Sequence, residues 1–199
     1  MTDGGDVDMR MTAIEKHFVN SPAHTARVVR RAQELLDRIN IRAGWRYLDV
    51  GCGVGTAARE IAERRGLDVT GIDVDPAQIE AARAGAALPH LRFMVMDATK
   101  LRFNDAEFDI VATSMVTHHL RAWERAFSEM IRVVRPGGCL IYSDFTLPSW
   151  LAAVGRRLIP FVGMPSTKRI ESLASGAGLA KVHQSRAGLR SDFIWIRNR

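Results

Sequence analysis

Only two cysteines, Cys52 and Cys139, occur in 199 residues, and they form neither a CxxC pair nor a metal-spaced set. That scarcity argues against a disulfide-stapled scaffold and against a thiolate metal site, and it suits a reducing, cytoplasmic setting. No apolar run reaches the roughly 20 residues needed to cross a bilayer. The first ten residues are polar, with Asp3, Asp6 and Asp8, and do not read as a leader. Internal repeats and low-complexity tracts are absent. The net charge of +6, from 28 basic and 22 acidic residues, is not concentrated anywhere. Pairs such as Arg30-Arg31, Arg64-Arg65 and Arg156-Arg157 are scattered and no RNA-binding module is recognisable, so a solvated surface accounts for the charge better than a nucleic-acid footprint does. An acidic or membrane-associated substrate is compatible with it.

What is present is enough apolar material, 47% of residues, to fill the core of one α/β domain spanning 1–199. Ser21-Pro22 opens a helix in which Val28, Ala32, Leu35, Leu36 and Ile39 recur at helical spacing. Helices then alternate with apolar segments predicted as strands near 45–50, 67–73, 91–96, 108–114 and 138–144. Two more are expected at 182–186 and 193–197, around the turn Ala187–Arg190. Such alternation demands a mainly parallel sheet covered on both faces.

Between the first strand and the helix Thr56–Arg65 lies Asp49-Val50-Gly51-Cys52-Gly53-Val54-Gly55. Backbone without side chains is what a nucleotide-like ligand needs to lie directly against a chain. The dinucleotide fingerprint GxGxxG would need its third glycine where Thr56 stands; the order here is DxGxGxG. Downstream, Asp73 ends the second strand, where its oxygens can accept both hydroxyls of a ribose. Asp97-Ala98 follows the third strand. Met115-Val116-Thr117-His118-His119-Leu120 follows the fourth, and Arg135-Pro136-Gly137-Gly138 precedes the fifth.

Taken together, these segments over about residues 45–145 resemble the class I S-adenosylmethionine-dependent methyltransferases, with motif I at Asp49–Gly55. The resemblance implies a doubly wound, mainly parallel seven-stranded sheet with helices on both faces and an antiparallel last strand. It implies S-adenosylmethionine as cofactor, S-adenosylhomocysteine as product, no metal, and transfer of a methyl group to a small-molecule acceptor. Cofactor contacts are then expected at Asp49, Gly51, Cys52, Gly53, Gly55, Asp73, Val74, Asp97, Ala98 and Ser114. A non-catalytic cofactor-binding partner subunit is the main alternative, and a nicotinamide-dependent oxidoreductase, which Thr56 disfavours, is a weaker one.

Plainer roles compete at several positions. Asp75, followed by Pro76, reads as a helix cap rather than a ligand. Asp49 could simply bond the glycine amides, and Asp97 could open an ordinary loop. His118 and His119 stand where the family builds its substrate side, and either could take a proton from a nucleophile. As neighbours on a starting helix they should point apart, so at most one is expected to serve. His17, His24, His90 and His183 have no partner pattern and read as ordinary structure. Residues 1–20, with Phe18, are expected to form a flexible segment placed to fold over the cofactor. Residues 145–165 form a substrate-side insertion whose stripe Trp150, Leu151, Val154, Leu158 and Phe161 could line a pocket, pack on the domain, or touch a membrane surface. Phe18, Trp150 and Phe161 are the acceptor-side candidates.

Overall fold

A computed structural model describes residues 22–85, 87–158 and 163–199. Helix α1 (Pro22–Leu36) leads into β1 (Arg46–Val50), α2 (Thr56–Arg65), β2 (Asp68–Asp73), α3 (Pro76–Arg83), β3 (Leu91–Val95) and β4 (Phe108–Ser114). A short 3₁₀ turn at Thr117–His119 is followed by α4 (Trp123–Val133), β5 (Val134–Phe145), α5 (Ser149–Leu158), α6 (Thr167–Gly176), β6 (Leu179–Ala187) and β7 (Arg190–Arg197).

The strands form one seven-stranded sheet in the order β3-β2-β1-β4-β5-β7-β6. Neighbouring pairs are parallel except those of β7, which runs against both β5 and β6. The doubly wound sheet and its antiparallel last strand are thus as the sequence predicts. Successive strand residues point to opposite faces, and the two cores divide accordingly. Leu48, Val111, Leu140 and Trp195 join Phe127 and Met130 of α4 and Ile170 of α6 on one face. Tyr47, Ile110, Ile141 and Ile194 join Leu35 and Leu36 of α1, Ile61 of α2 and Ile79 of α3 on the other.

The chain leaves β1 toward β2 and β3 and leaves β4 toward β5, so the strand order reverses between β1 and β4. In open α/β sheets the crevice beyond the carboxyl ends at such a reversal is where ligands bind.

Two expectations about the sheet need correcting. The segment Arg135–Gly138, expected ahead of the fifth strand, belongs to β5, which begins at Val134. Gly138 makes this possible: a β-carbon there would stand 2.7 Å from the carbonyl oxygen of Asp109, so bare backbone lets β5 close against the irregular register between Phe108 and Ile110. The last hairpin is longer than expected. Its strands pair from Leu179–Arg197 to Ala187–Arg190, leaving only Gly188 and Leu189 as the connection. Asp75 does cap α3, accepting a 3.0 Å hydrogen bond from the amide of Ala77, with Pro76 opening the helix.

Candidate active site

The loop after β1 is fixed by β2 and not by Asp49. The amides of Gly51 and Cys52 both donate to the carbonyl of Ile72, at 2.8 and 2.9 Å, and that of Gly53 donates to Oδ2 of Asp73 at 3.0 Å. The loop therefore crosses the carboxyl end of β2. Oδ1 of Asp73 accepts from the Asp75 amide at 3.0 Å. Burial pushes the Asp73 carboxyl up from its usual range, partly offset by these amides.

The glycines divide in function. A β-carbon on Gly51 would meet Cγ2 of Val116 at 2.2 Å, and one on Gly55 would meet the ring of Phe93 at 2.5 Å. At Gly53 nothing lies within 4 Å. Two of the three thus serve protein packing, and only Gly53 presents bare backbone to open space. The Sγ of Cys52 lies 3.0 Å from where a β-carbon of Gly71 would stand, and burial drives its thiol far above the ordinary range.

Asp49, in β1 opposite Gly71 and Ala112, is buried, and its Oδ2 has no hydrogen-bond partner among the described residues. Burial first, then the charge of Asp73, push its carboxyl up to about 7. A buried, unpartnered carboxylate oxygen is costly unless a donor or cation meets it. The loop-bracing role open to Asp49 in sequence is performed by Ile72 and Asp73 instead.

On the far side of Val116, Met115 takes up the left-handed backbone region, φ 59°, and turns the chain into the 3₁₀ segment. There His118 Nδ1 lies 2.5 Å from Oδ1 of Asp144, the penultimate residue of β5. The rings of His118 and His119 are 3.9 Å apart between centroids and tilted by 41°. The expectation that they point apart is not met at the rings, although a 3₁₀ turn rotates successive residues by about 120°.

Residues 48–142 match the family described as "Methyltransferase domain". Similar proteins include the demethylmenaquinone methyltransferase of Beutenbergia cavernae, 37% identical over 124 residues that are 62% of this chain and 50% of that one. Another is the 2-methyl-6-phytyl-1,4-hydroquinone methyltransferase of Synechocystis sp., 34% identical over 66% of this chain and 44% of that one. The chain spans about half the length of these curated relatives. Among solved structures, the phosphoethanolamine N-methyltransferase 2 of Haemonchus contortus, bound to phosphomonomethylethanolamine and S-adenosylhomocysteine, has the same fold. Its TM-score is 0.68 at 17% identity, covering 85% of this chain and 52% of that one. Residues 48–142 thus carry a methyltransferase domain, similar to that of the class I S-adenosylmethionine-dependent enzymes.

In this methyltransferase frame the remaining predicted residues fall in different places. Val74, directly after Asp73, and Val95, at the end of β3, are 39% and 38% exposed, an apolar rim beside the carboxylate. Asp97 is exposed, and its Oδ1 accepts from the Thr99 amide at 2.7 Å, the ordinary loop-opening role. Ala98 packs half-buried on the core, and half-buried Ser114 ends β4 opposite Ser143. Trp150 on α5 is 70% exposed. Phe18 and Phe161 lie outside the described residues. Two residues next to His118 were not singled out from sequence. Asp144 looks there like one more polar strand end, and the Phe145 ring, 5.0 Å from that of His118, looks like an ordinary apolar residue. An acid inside the apolar run Cys139–Phe145 was the only available signal. Among the described residues no group of three or more His, Cys, Asp or Glu is arranged for a metal, and no helix is long and apolar enough to cross a membrane.

Proposed function

We propose that the chain transfers a methyl group from S-adenosylmethionine to a small-molecule acceptor. The observation that carries this reading is the buried, unpartnered Oδ2 of Asp49 beside Asp73 at the point where the strand order reverses. The residues suit the cofactor. Asp49 would meet the cationic methionine end, Asp73 retains acceptor capacity for ribose hydroxyls, Gly53 leaves room for close approach, and Val74 and Val95 offer apolar surface to a flat base. When bound, S-adenosylmethionine supplies a methyl group on a positively charged sulfur, open to displacement by an electron pair from the opposite side. The protein's share is to fix the line of approach and keep water out, worth up to roughly 7–11 kcal/mol for well-oriented reactants. The two curated relatives are named for a quinone and a hydroquinone, which supports a small-molecule acceptor here.

Calorimetry is expected to detect S-adenosylmethionine binding to the purified protein, with a loss of at least tenfold in affinity for Asp73→Ala. Unchanged affinity in a folded Asp73→Ala protein would remove the ribose assignment. Formation of S-adenosylhomocysteine with added acceptors separates an enzyme from a partner subunit that only binds the cofactor.

A further inference from the structure

Asp144 is fully buried and yet surrounded by donors. Its Oδ2 accepts from the amides of Val116 at 3.0 Å and Thr117 at 2.6 Å, and from the Thr117 hydroxyl at 2.8 Å. Its Oδ1 accepts from the Phe145 amide at 2.7 Å and faces Nδ1 of His118 at 2.5 Å. The Tyr142 hydroxyl lies 2.6 Å from Oγ1 of Thr117, and since Thr117 gives its proton to Asp144, Tyr142 donates to Thr117. A carboxylate only accepts, so the imidazole meets it with Nδ1–H, and the neutral ring carries its bare lone pair on Nε2.

The direction of that lone pair follows from the same contact. The His118 side chain keeps 19% of its surface accessible, whereas Asp144 on its Nδ1 side keeps none, and Nε2 lies on the ring edge away from that carboxylate. Phe145, 40% exposed, stands edge-on to the ring, and His119 lies against it. Val116, seated on Gly51, ties this turn to the cofactor loop.

On the methyl-transfer reading above, we infer that His118 is a general base with Asp144 as its positioning residue, and that the acceptor presents an ionisable hydroxyl, a phenol or enol, on an apolar frame. The proton of the acceptor O–H passes to Nε2 of His118, and a lone pair of that oxygen forms the new O–C bond to the methyl group. The C–S bond breaks with its pair left on sulfur, giving a methyl ether, a neutral thioether and an imidazolium that faces Asp144. The imidazolium then returns its proton to water. A carboxylate behind the ring fixes the tautomer and favours the imidazolium as it forms, the arrangement that serves hydrolytic triads.

Two measurements test this. Long-range ¹H–¹⁵N spectra of histidine-labelled protein, with His118 assigned through His118→Gln, should show the Nδ1–H tautomer, lost in Asp144→Asn. An Nε2–H tautomer in the wild type overturns the inference without reference to turnover. In the second, S-adenosylhomocysteine formation is followed with 1-naphthol and hydroquinone as hydroxyl probes and benzylamine and thiophenol as controls. The hydroxyl probes should be methylated, and His118→Gln should lower kcat/KM on them by about 10²–10⁴-fold while S-adenosylmethionine affinity changes less than twofold. Wild-type rates in His118→Gln, or methylation of neither hydroxyl probe by a protein that binds the cofactor, overturns the base alone. Failure to bind the cofactor overturns the methyl-transfer reading and the base with it.

Discussion

Cγ2 of Val116 lies 2.2 Å from the point where a β-carbon on Gly51 would stand, so the loop after β1 and the turn after β4 close on each other through one missing side chain. Gly53, two residues on, meets nothing within 4 Å. Substitution at the two positions should therefore separate stability from binding. Gly51→Ala combines overpacking with a left-handed backbone at φ 77° and is expected to cost about 2–4 kcal/mol in chemical denaturation. Gly53→Ala meets no protein atom but also sits in the left-handed region, at φ 55°, so it should cost only the backbone strain of about 1–2 kcal/mol and weaken S-adenosylmethionine binding at least tenfold. The reverse ranking would contradict the division of roles between the two glycines.

The carboxyl of Asp49, held up to about 7, links cofactor binding to pH. Without ligand the fold retains a proton there that the unfolded chain releases at its ordinary value of 3.8. This group therefore makes stability fall as pH rises from about 4 to 7. A cationic ligand favours the carboxylate, so binding expels the proton. Affinity for S-adenosylmethionine should rise between pH 5 and 7, by at most about tenfold per unit, and then level off. Calorimetry in buffers of different ionisation enthalpy would detect the released proton, and Asp49→Asn should abolish the slope.

Arg31 of α1 pairs with Asp192 of β7, whose side chain has no exposure and also accepts from the Ser143 hydroxyl at 2.6 Å. Burial alone would raise the Asp192 carboxyl, but the hydrogen bonds from Arg31 and Ser143 hold it below its usual value. Arg31→Ala takes the nearer cation from a buried carboxylate, which keeps only Arg190 at 3.7 Å, and is expected to cost up to about 3–5 kcal/mol, read as a lowered Tm. The lost stabilisation is present above the ordinary carboxylate range and fades as pH falls through the lower folded value. The wild-type and Arg31→Ala stabilities should accordingly converge in acid.

Trp150 is 70% exposed on α5, so its truncation removes little packing. Trp150→Ala should change stability by no more than about 0.5 kcal/mol and leave cofactor affinity unaltered. If this surface receives the acceptor, KM for a hydroxylated aromatic probe rises severalfold with little change in kcat. An unchanged KM would assign Trp150 to the solvated surface.

The elements legible in the chain were those whose causes are local. The run Phe108–Ser114, the cap Asp75-Pro76 and the helix Thr56–Arg65 each carry periodicity or capping chemistry within a few residues. The start of β5 was misread because Pro136-Gly137-Gly138 is locally a turn signal, and only the approach of Gly138 to the Asp109 backbone makes it strand. Asp144 went unnoticed because its partner His118 lies 26 residues earlier.

The sequence by itself determined the alternation of helices and strands, and with it the parallel sheet and the crevice at its carboxyl ends, because helical and strand periodicity are written within short windows. The tertiary structure alone decided which side chains share space. The register that sets Ser114 opposite Ser143 carries the Met115–His118 turn over Asp144, and the same turn lays Val116 into the gap at Gly51. Contacts of that kind depend on how separate elements align, and no short window of sequence contains them.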